Sequence, residues 1–547
     1  MKESSYDGAS GQHPDAFKGD YSSFRVATLN PPFFFKFSKD SRSPGVSKGG
    51  CVYYPIWLGY ATGVLEKTGF NVKLIDAPAE SKNLEETLAI LKEFNPQLVV
   101  LQTVTASFEN DSHVAEEIKK ALPNVKILGV GDHVSALPEE SLKDMKSADW
   151  LAIREFDFTA RDVALALMKK TKVEDVKGLA VRDKSGAMKL SEPRPELSSE
   201  ELDWIPFNSE TYAKHCDIHN YFYPSVLYPE VTIVSARGCK YRCTFCKWPQ
   251  TFTGHTFRPR SVQNVVDEME WIAQNLPEVQ DIMFEDDTLT QDPDRTIDLC
   301  KEILRRDLKI KWTCNSRADA KLEVLQWLKK ANCRLICVGF ESADQGILNN
   351  IKKGTTVEKI RQFMKDTRKA KMLVHGCFML GNKGETKETV KKTIEFAKEL
   401  NPDTAQFFPI MVYPGTEAYD WAKKEGLLMA DRWSDWLLPD GNHNSIVSRP
   451  GLSAEELVDL CDAARREYYI RPGYIAEKVW QGVTTPSEFP RTIISAKRFF
   501  KFLLTPAREG AQKANGNGVR EKGGKDSTTP HMHMHGDDYC ESCATRM

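Results

Sequence analysis

Two series of apolar runs, separated by a polar connector, organise the chain. In the first, Phe24–Leu29, Val72–Ile75, Leu98–Leu101, Val125–Val130 and Trp150–Ile153 are short, β-branched stretches too brief for helices. Amphipathic segments lie between them, among them a helix expected over Tyr60–Thr68. Leu98–Leu101 is apolar at every position, the pattern of a strand buried on both faces. Strands alternating with helices predict a doubly wound, Rossmann-type α/β domain over residues 23–200, connector included. The connector runs from Glu192-Pro-Arg-Pro to Ile205-Pro-Phe207.

The second series begins at Val231–Ser235 and continues through Asp281–Phe284, Ile310–Thr313, Leu335–Val338, Leu373–Phe378 and Ala405–Phe408. Between the first two runs, Val262, Val265, Val266, Met269 and Ile272 fall on one face of a helix that Ser261 is placed to cap. Six βα units predict a partial (β/α)6 barrel of TIM type over residues 225–430. Its chemistry is expected at the C-terminal ends of the strands. A mostly helical appendage is expected over 431–505. Residues 1–22 read as a disordered lead, and 506–547 as a low-complexity tail unable to pack a core.

At 547 residues, with 75 basic against 77 acidic side chains, the chain has no global electrostatic attraction to nucleic acid or membrane. The 41% hydrophobic content suits two or three soluble domains, and no run approaches the ~20 apolar residues of a membrane span. Residues Met1–Ser5 carry no apolar leader pattern, so a reduced, cytoplasmic setting is expected for a chain with 13 cysteines.

Three of those cysteines carry the chemistry. Cys239, Cys243 and Cys246 form a CxxxCxxC set in Arg237-Gly-Cys-Lys-Tyr-Arg-Cys-Thr-Phe-Cys246, directly after the first barrel strand. Iron–sulfur clusters ordinarily take four Cys thiolates, so three leave one iron of a [4Fe–4S] cluster open to a ligand. Zinc would want a fourth donor nearby, and none follows. The spacing is similar to that of radical S-adenosylmethionine (SAM) enzymes. That resemblance implies that the open iron chelates SAM and that one electron splits it to a 5′-deoxyadenosyl radical. Glu285, Asp286 and Asp287, at the end of the second barrel strand, are then placed to accept hydrogen bonds from the SAM ammonium. Arg317 would meet the SAM carboxylate, and Glu341 the ribose hydroxyls or amino group. Gly381, in a Gly-rich turn, would allow close approach of the nucleoside, with Phe245 beside the adenine.

The chain further resembles the cobalamin-binding class of radical SAM enzymes. The resemblance covers roughly residues 24–475 and rests on Arg237–Gln250, Gly254-His255, Asp286–Thr288, Gly339…Glu341-Ser342…Ile351–Gly354, Gly381…Thr386 and Tyr413–Glu417. Tyr54–Leu58, Leu74–Pro78, Pro138–Glu140 and Glu155–Thr159 are similar to its hopanoid-biosynthesis-associated branch, which is related to calditol-type head-group synthesis. The resemblance implies a cobalamin-binding-like first domain, with the corrin near Thr103, Thr105, Gly129 and Gly131. It departs from many cobalamin proteins in lacking Asp-x-His-x-x-Gly: Asp76 is followed by Ala-Pro-Ala, and His133 stands on the wrong side of the motif. The expected reaction is hydrogen abstraction from an unactivated carbon, rearranging or contracting a polyol head group of a lipid. The alternative is cobalamin-dependent C-methyl transfer. A small-molecule or lipid head-group substrate and an external electron donor such as ferredoxin or flavodoxin would be the partners. A non-enzymatic role, as a cluster-based sensor or metal scaffold, leaves the acidic and Gly-rich strand ends without a purpose.

Two C-terminal features stand apart. Ile493–Leu504 interleaves Lys497, Arg498 and Lys501 with aromatic and aliphatic residues, a composition that suits either peripheral membrane contact or packing on the barrel. His531-Met-His-Met-His535 and Cys540-Glu-Ser-Cys543 hold soft ligands that would suit zinc or copper.

Overall fold

The computed structural model describes residues 19–484. The Ile493–Leu504 segment, the His/Cys tail and most of the N-terminal lead lie outside the described residues.

The first domain is a seven-stranded sheet of β1 (Tyr21–Asn30), β2 (Phe70–Asp76), β3 (Leu98–Thr103), β4 (Lys126–Gly131), β5 (Trp150–Ala152), β6 (Leu179–Arg182) and β7 (Met188–Leu190). Their spatial order is β2-β1-β3-β4-β5-β6-β7. The first five are parallel, while β6 and β7 add an antiparallel edge that the short Leu-Ala-Val-Arg run did not announce. The 2-1-3-4-5 order is doubly wound and reverses between β1 and β3, where such sheets bind ligands beyond their strands' C-terminal ends. β1 begins at Tyr21, paired with Phe70, so the supposed lead already contributes to the sheet.

The second domain opens with β8 (Glu230–Ile233). Two short strands follow, β9 (Ala236–Arg237) and β10 (Arg258–Pro259), which pair with each other around the cysteine loop. Then come β11 (Asp281–Phe284), β12 (Lys311–Ser316), β13 (Cys333–Glu341), β14 (Leu373–Leu380) and β15 (Thr404–Pro409). The six main strands are all parallel, in the order β15-β14-β13-β12-β11-β8: an open, partial barrel. The helix Val262–Asn275 follows the expected periodicity; the Ser261 hydroxyl accepts from Asn264 N–H, and Val265, Val266, Met269 and Ile272 are buried.

The two domains are fastened by a layer the sequence did not reveal. The helix Ile56–Thr68 starts a turn earlier than expected and buries nearly all its circumference, as helices apolar on every side do. From it and its approach, Tyr54 donates to Glu230 O at 2.8 Å, and Tyr60 Oη accepts from Val234 N–H at 3.2 Å. One contiguous apolar core thereby runs from Val26 to Tyr468.

A buried charge network completes the joint. Arg237, two residues before Cys239, makes a two-pronged pair with Asp157 at 2.7 and 3.0 Å. Arg258 pairs with Glu155 at 2.5 and 3.1 Å. Glu155 and Asp157 belong to the first domain. Removing one partner strands the other charge away from water. Asp157→Ala is therefore expected to lower unfolding stability by about 3–5 kcal/mol, read from denaturant unfolding of the full chain.

Candidate active site

The cysteine loop is held by its backbone. Gly238 has φ 82°, and a Cβ there would sit 2.0 Å from Thr256 O. Gln291 spans the turn, donating to Gly238 O at 3.1 Å and accepting from Lys240 N–H at the same distance. Gln250 Nε2 donates to the carbonyls of Cys243, Thr244 and Cys246. These bonds shape the loop through its backbone carbonyls and N–H groups. Cys239 is buried, and Cys243 and Cys246 are half-buried.

Among the described residues no three His, Cys, Asp or Glu side chains converge as a single-ion site. Burial, with Asp287 nearby, pushes the Cys239 and Cys246 thiols up. Those two thiols need positive charge to ionise, which iron supplies outright. Arg42, Arg317 and Lys353 add to it: Arg317 Nη1 lies 3.8 Å from Cys243 Sγ, and Arg42 acts electrostatically on Cys246. Arg317 is itself fixed by the Tyr241 ring 3.6 Å away and by the Lys353 carbonyl.

The acidic strand end divides by role. Asp286 turns back into the fold, its two oxygens taken by the Ser235 N–H at 2.6 Å and hydroxyl at 2.5 Å. Its carboxylate anchors the root of the cysteine loop, while its carbonyl, the other kind of acceptor this strand end offers, accepts from Arg42 and Asn315. Glu285 accepts from Arg42 and from Asn315 Nδ2 at 3.2 Å. Asp287 Oδ2 accepts from Thr253, whereas its buried Oδ1 has no hydrogen-bond partner. Burial raises the pKa of both Glu285 and Asp287 despite Arg42.

Glu341 combines a left-handed backbone with a buried carboxylate oxygen that has no hydrogen-bond partner. It ends β13 at φ 63°, a left-handed conformation costing a non-glycine residue ~1 kcal/mol or more, at a break in the β13–β14 register. One oxygen accepts from Lys353 Nζ at 2.7 Å; the other, Oε2, is buried without a partner. Gly339 makes the room, since a Cβ there would meet Glu341 Oε1 at 2.2 Å. Burial works against the Lys353 charge, but the Glu341 pair overrides it and its pKa stands above the ordinary lysine value. Asp287 Oδ1, with Arg42 Nη2 3.8 Å away, and Glu341 Oε2 are each buried acceptors that a donor such as an ammonium group could satisfy.

Gly381 departs from its expected purpose. It has φ 96°, but the space a Cβ would take is filled by Leu457, 2.8 Å away, so helix packing fixes the glycine. Phe245 is a packed ring with Lys353 Nζ 5.8 Å from its centre. Arg42 and Lys353 were missed by sequence reasoning. Arg42 comes from the loop after β1 and carries no local pattern; Lys353 stands in the Ile351–Gly354 motif without a role assigned to it.

The C-terminal edge of the first sheet faces the same region. Thr105 Oγ1 lies 3.2 Å from His133 Nδ1, and the Thr103 hydroxyl donates to Val130 O at 3.0 Å. Gly131, at φ 122°, lets β4 close on Thr103 O, which a Cβ would approach to 2.2 Å. Gly129 does not face the edge: Leu151 fills its side, so it belongs to the core. Buried Asn30 Oδ1, Trp57 Nε1, Gln102 Oε1, Asp132 Oδ1 and His133 Nε2 all lack hydrogen-bond partners. All but Trp57, which belongs to the Ile56–Thr68 helix, stand at or just beyond the ends of β1, β3 and β4. Unsatisfied groups there fit a large ligand rimmed with amide groups, as a corrin is. Burial holds His133 neutral, its pKa down at about 3.

Residues 233–397 match the Radical SAM superfamily and residues 43–164 the B12 binding domain. The chain is a radical SAM enzyme with a B12-binding domain. Its cofactors are a [4Fe–4S] cluster, SAM and cobalamin, and the residues described fit all three. It is 28% identical to an uncharacterized methyltransferase of Pyrococcus horikoshii, over 78% of this chain and 90% of that protein. It is 26% identical to the cytidylyl-2-hydroxyethylphosphonate methyltransferase of Streptomyces wedmorensis, over 78% and 88%. In fold it is similar to the radical SAM methyltransferase TsrM of Kitasatospora setae, with a TM-score of 0.62 and 18% identity over 82% of this chain and 89% of that one. No described helix is long and apolar enough to cross a membrane.

Two outcomes follow for this radical SAM enzyme. Glu341→Gln removes an anionic acceptor but no cysteine. Iron content and cluster absorbance should hold while the SAM dissociation constant, measured on the reconstituted enzyme, rises about tenfold, the scale of one charge-assisted bond. Asp40 and Asp76, buried at the sheet edge, have pKa values pushed by burial to about 7. Between pH ~4 and 7 the unfolded chain releases protons that the folded one keeps, so stability falls as pH rises, by up to ~1.4 kcal/mol per pH unit per group. Asp76→Asn should flatten that slope in urea unfolding between pH 5 and 7.

Proposed function

We propose that this enzyme is a cobalamin-dependent radical SAM C-methyltransferase, moving a methyl group to an unactivated carbon of a small-molecule substrate. The observation that carries the reading is how the two cofactor edges are joined. Lys247, next to Cys246, pairs with Asp132 at the end of β4, and Arg42, from the loop after β1, pairs with Glu285 at the end of β11. These two pairs tie the edge that would hold a methyl donor to the edge that would hold a radical source. When bound, the cluster and SAM supply the hydrogen-abstracting radical, and cobalamin supplies the methyl group.

The chain's own residues perform the remaining tasks. Glu341 and Asp287 hold an ammonium; Arg317 and Lys353 balance negative charge beside Cys243; Trp248 stacks under the Arg42 guanidinium at 4.6 Å and steadies it. On the barrel's inner face, Asn315 and Cys377 are half-buried and Gln406 is exposed, leaving an approach for substrate. An external one-electron donor, of ferredoxin or flavodoxin type, completes the turnover. Rearrangement of a lipid polyol head group, the reaction favoured from sequence, needs no methyl donor. Relatives named as methyltransferases support transfer instead.

The test is anaerobic turnover of the reconstituted enzyme with SAM and dithionite, with and without cobalamin. S-adenosylhomocysteine should form alongside 5′-deoxyadenosine, and only with cobalamin present. Deoxyadenosine alone, indifferent to cobalamin, would return the enzyme to hydrogen abstraction and rearrangement.

A further inference from the structure

The last described helix, Pro472–Thr484, is amphipathic the wrong way round. Its polar side faces the barrel: Tyr474 donates to Asp403 O at 2.9 Å, Lys478 Nζ lies 3.4 Å from Asp403, and Asn401 Nδ2 donates to Glu477 at 2.9 Å. Its apolar side faces outward. Ile475 is 48% exposed, Val479 63%, Trp480 69% and Val483 70%. At 100° per residue these four share an arc of about 140°, so they form one stripe rather than scattered exposures. Soluble surfaces avoid contiguous stripes of this kind unless something covers them.

We infer that this stripe docks the enzyme onto an anionic lipid surface. Three features select that occupant. Trp480 gives the stripe the amphipathic aromatic that settles at a headgroup boundary. The chain continues 63 residues past Thr484, and the next apolar stretch in its sequence, Ile493–Leu504, carries Lys497, Arg498 and Lys501 with no acidic residue. Apolar residues interleaved with cations alone complement an interface of acyl chains and negative headgroups. Charge near neutrality over the whole chain leaves no long-range repulsion to oppose the approach. The docked surface lies beside the start of β15, away from the strands' C-terminal ends, and serves the enzyme whatever group it transfers.

The test is co-sedimentation of the full-length, reconstituted enzyme with vesicles of phosphatidylcholine and phosphatidylglycerol at 3:1, against phosphatidylcholine alone. Binding should favour the anionic vesicles and weaken at high salt. The Val479→Ser/Trp480→Ser double variant should lose at least tenfold in vesicle affinity. Because both side chains already face solvent, it should keep its fold by circular dichroism and its lipid-free deoxyadenosine yield. Equal sedimentation of the parent and double variant would overturn the inference, as would no sedimentation at all. So would a dimer dissolved by the double variant, which would give the stripe to a second copy. Finally, if Trp480 is shielded from aqueous quencher without lipid and exposed by Phe499→Ser/Phe500→Ser, the chain's own 493–504 segment is the cover.

Discussion

The buried pairing of Arg237 with Asp157, and of Arg258 with Glu155, is the constraint on which this enzyme's geometry depends. Charges in an apolar joint are tolerated only when their partners are held in place, so the network admits little relative movement of the two domains. Arg237 stands at the root of the cysteine loop, and Glu155 and Asp157 stand at the end of the first sheet and the start of the helix that follows it. Fixing one fixes the other. The Ile56–Thr68 helix then fills the joint with apolar surface, and one contiguous core spans both domains.

Around the cysteine loop, charge is arranged ahead of the ligands. Arg42 acts on the Cys246 thiol that burial pushes up, and carboxylate oxygens of Asp287 and Glu341 stand buried without hydrogen-bond donors. Each is unfavourable alone. Together they describe a site organised for groups that bring iron's positive charge and an ammonium. The left-handed backbone at Glu341 is local strain of the same kind, sustained by Gly339 and the Lys353 pair on either side of it.

The strand ends were legible because a parallel barrel places them together by rule; once six apolar runs are counted, Glu285, Asp287 and Glu341 must lie at one end. Their individual duties were not. Asp286 and Asp287 are neighbours of the same type, yet successive strand-end residues point opposite ways: one ties down Ser235 and the other faces the cysteines. Gly129 and Gly381 looked like ligand-approach glycines and are packing glycines, because Leu151 and Leu457 arrive from elements distant in sequence. Arg42 gave no signal, since a lone arginine in a polar loop becomes meaningful only when the loop is seen to enter another domain.

The sequence by itself carried the cysteine spacing and the two alternating series of strands and helices, since thiol spacing and apolar periodicity are local and act over a few residues. The cobalamin-binding character of the first series was legible only through a family resemblance. Only the tertiary structure decided which charges face the cluster, which glycines make room and which face of the last helix is left to solvent. Those outcomes depend on contacts between residues tens to hundreds of positions apart, such as Arg42 with Glu285 and Tyr474 with Asp403. No pattern along the chain records such contacts.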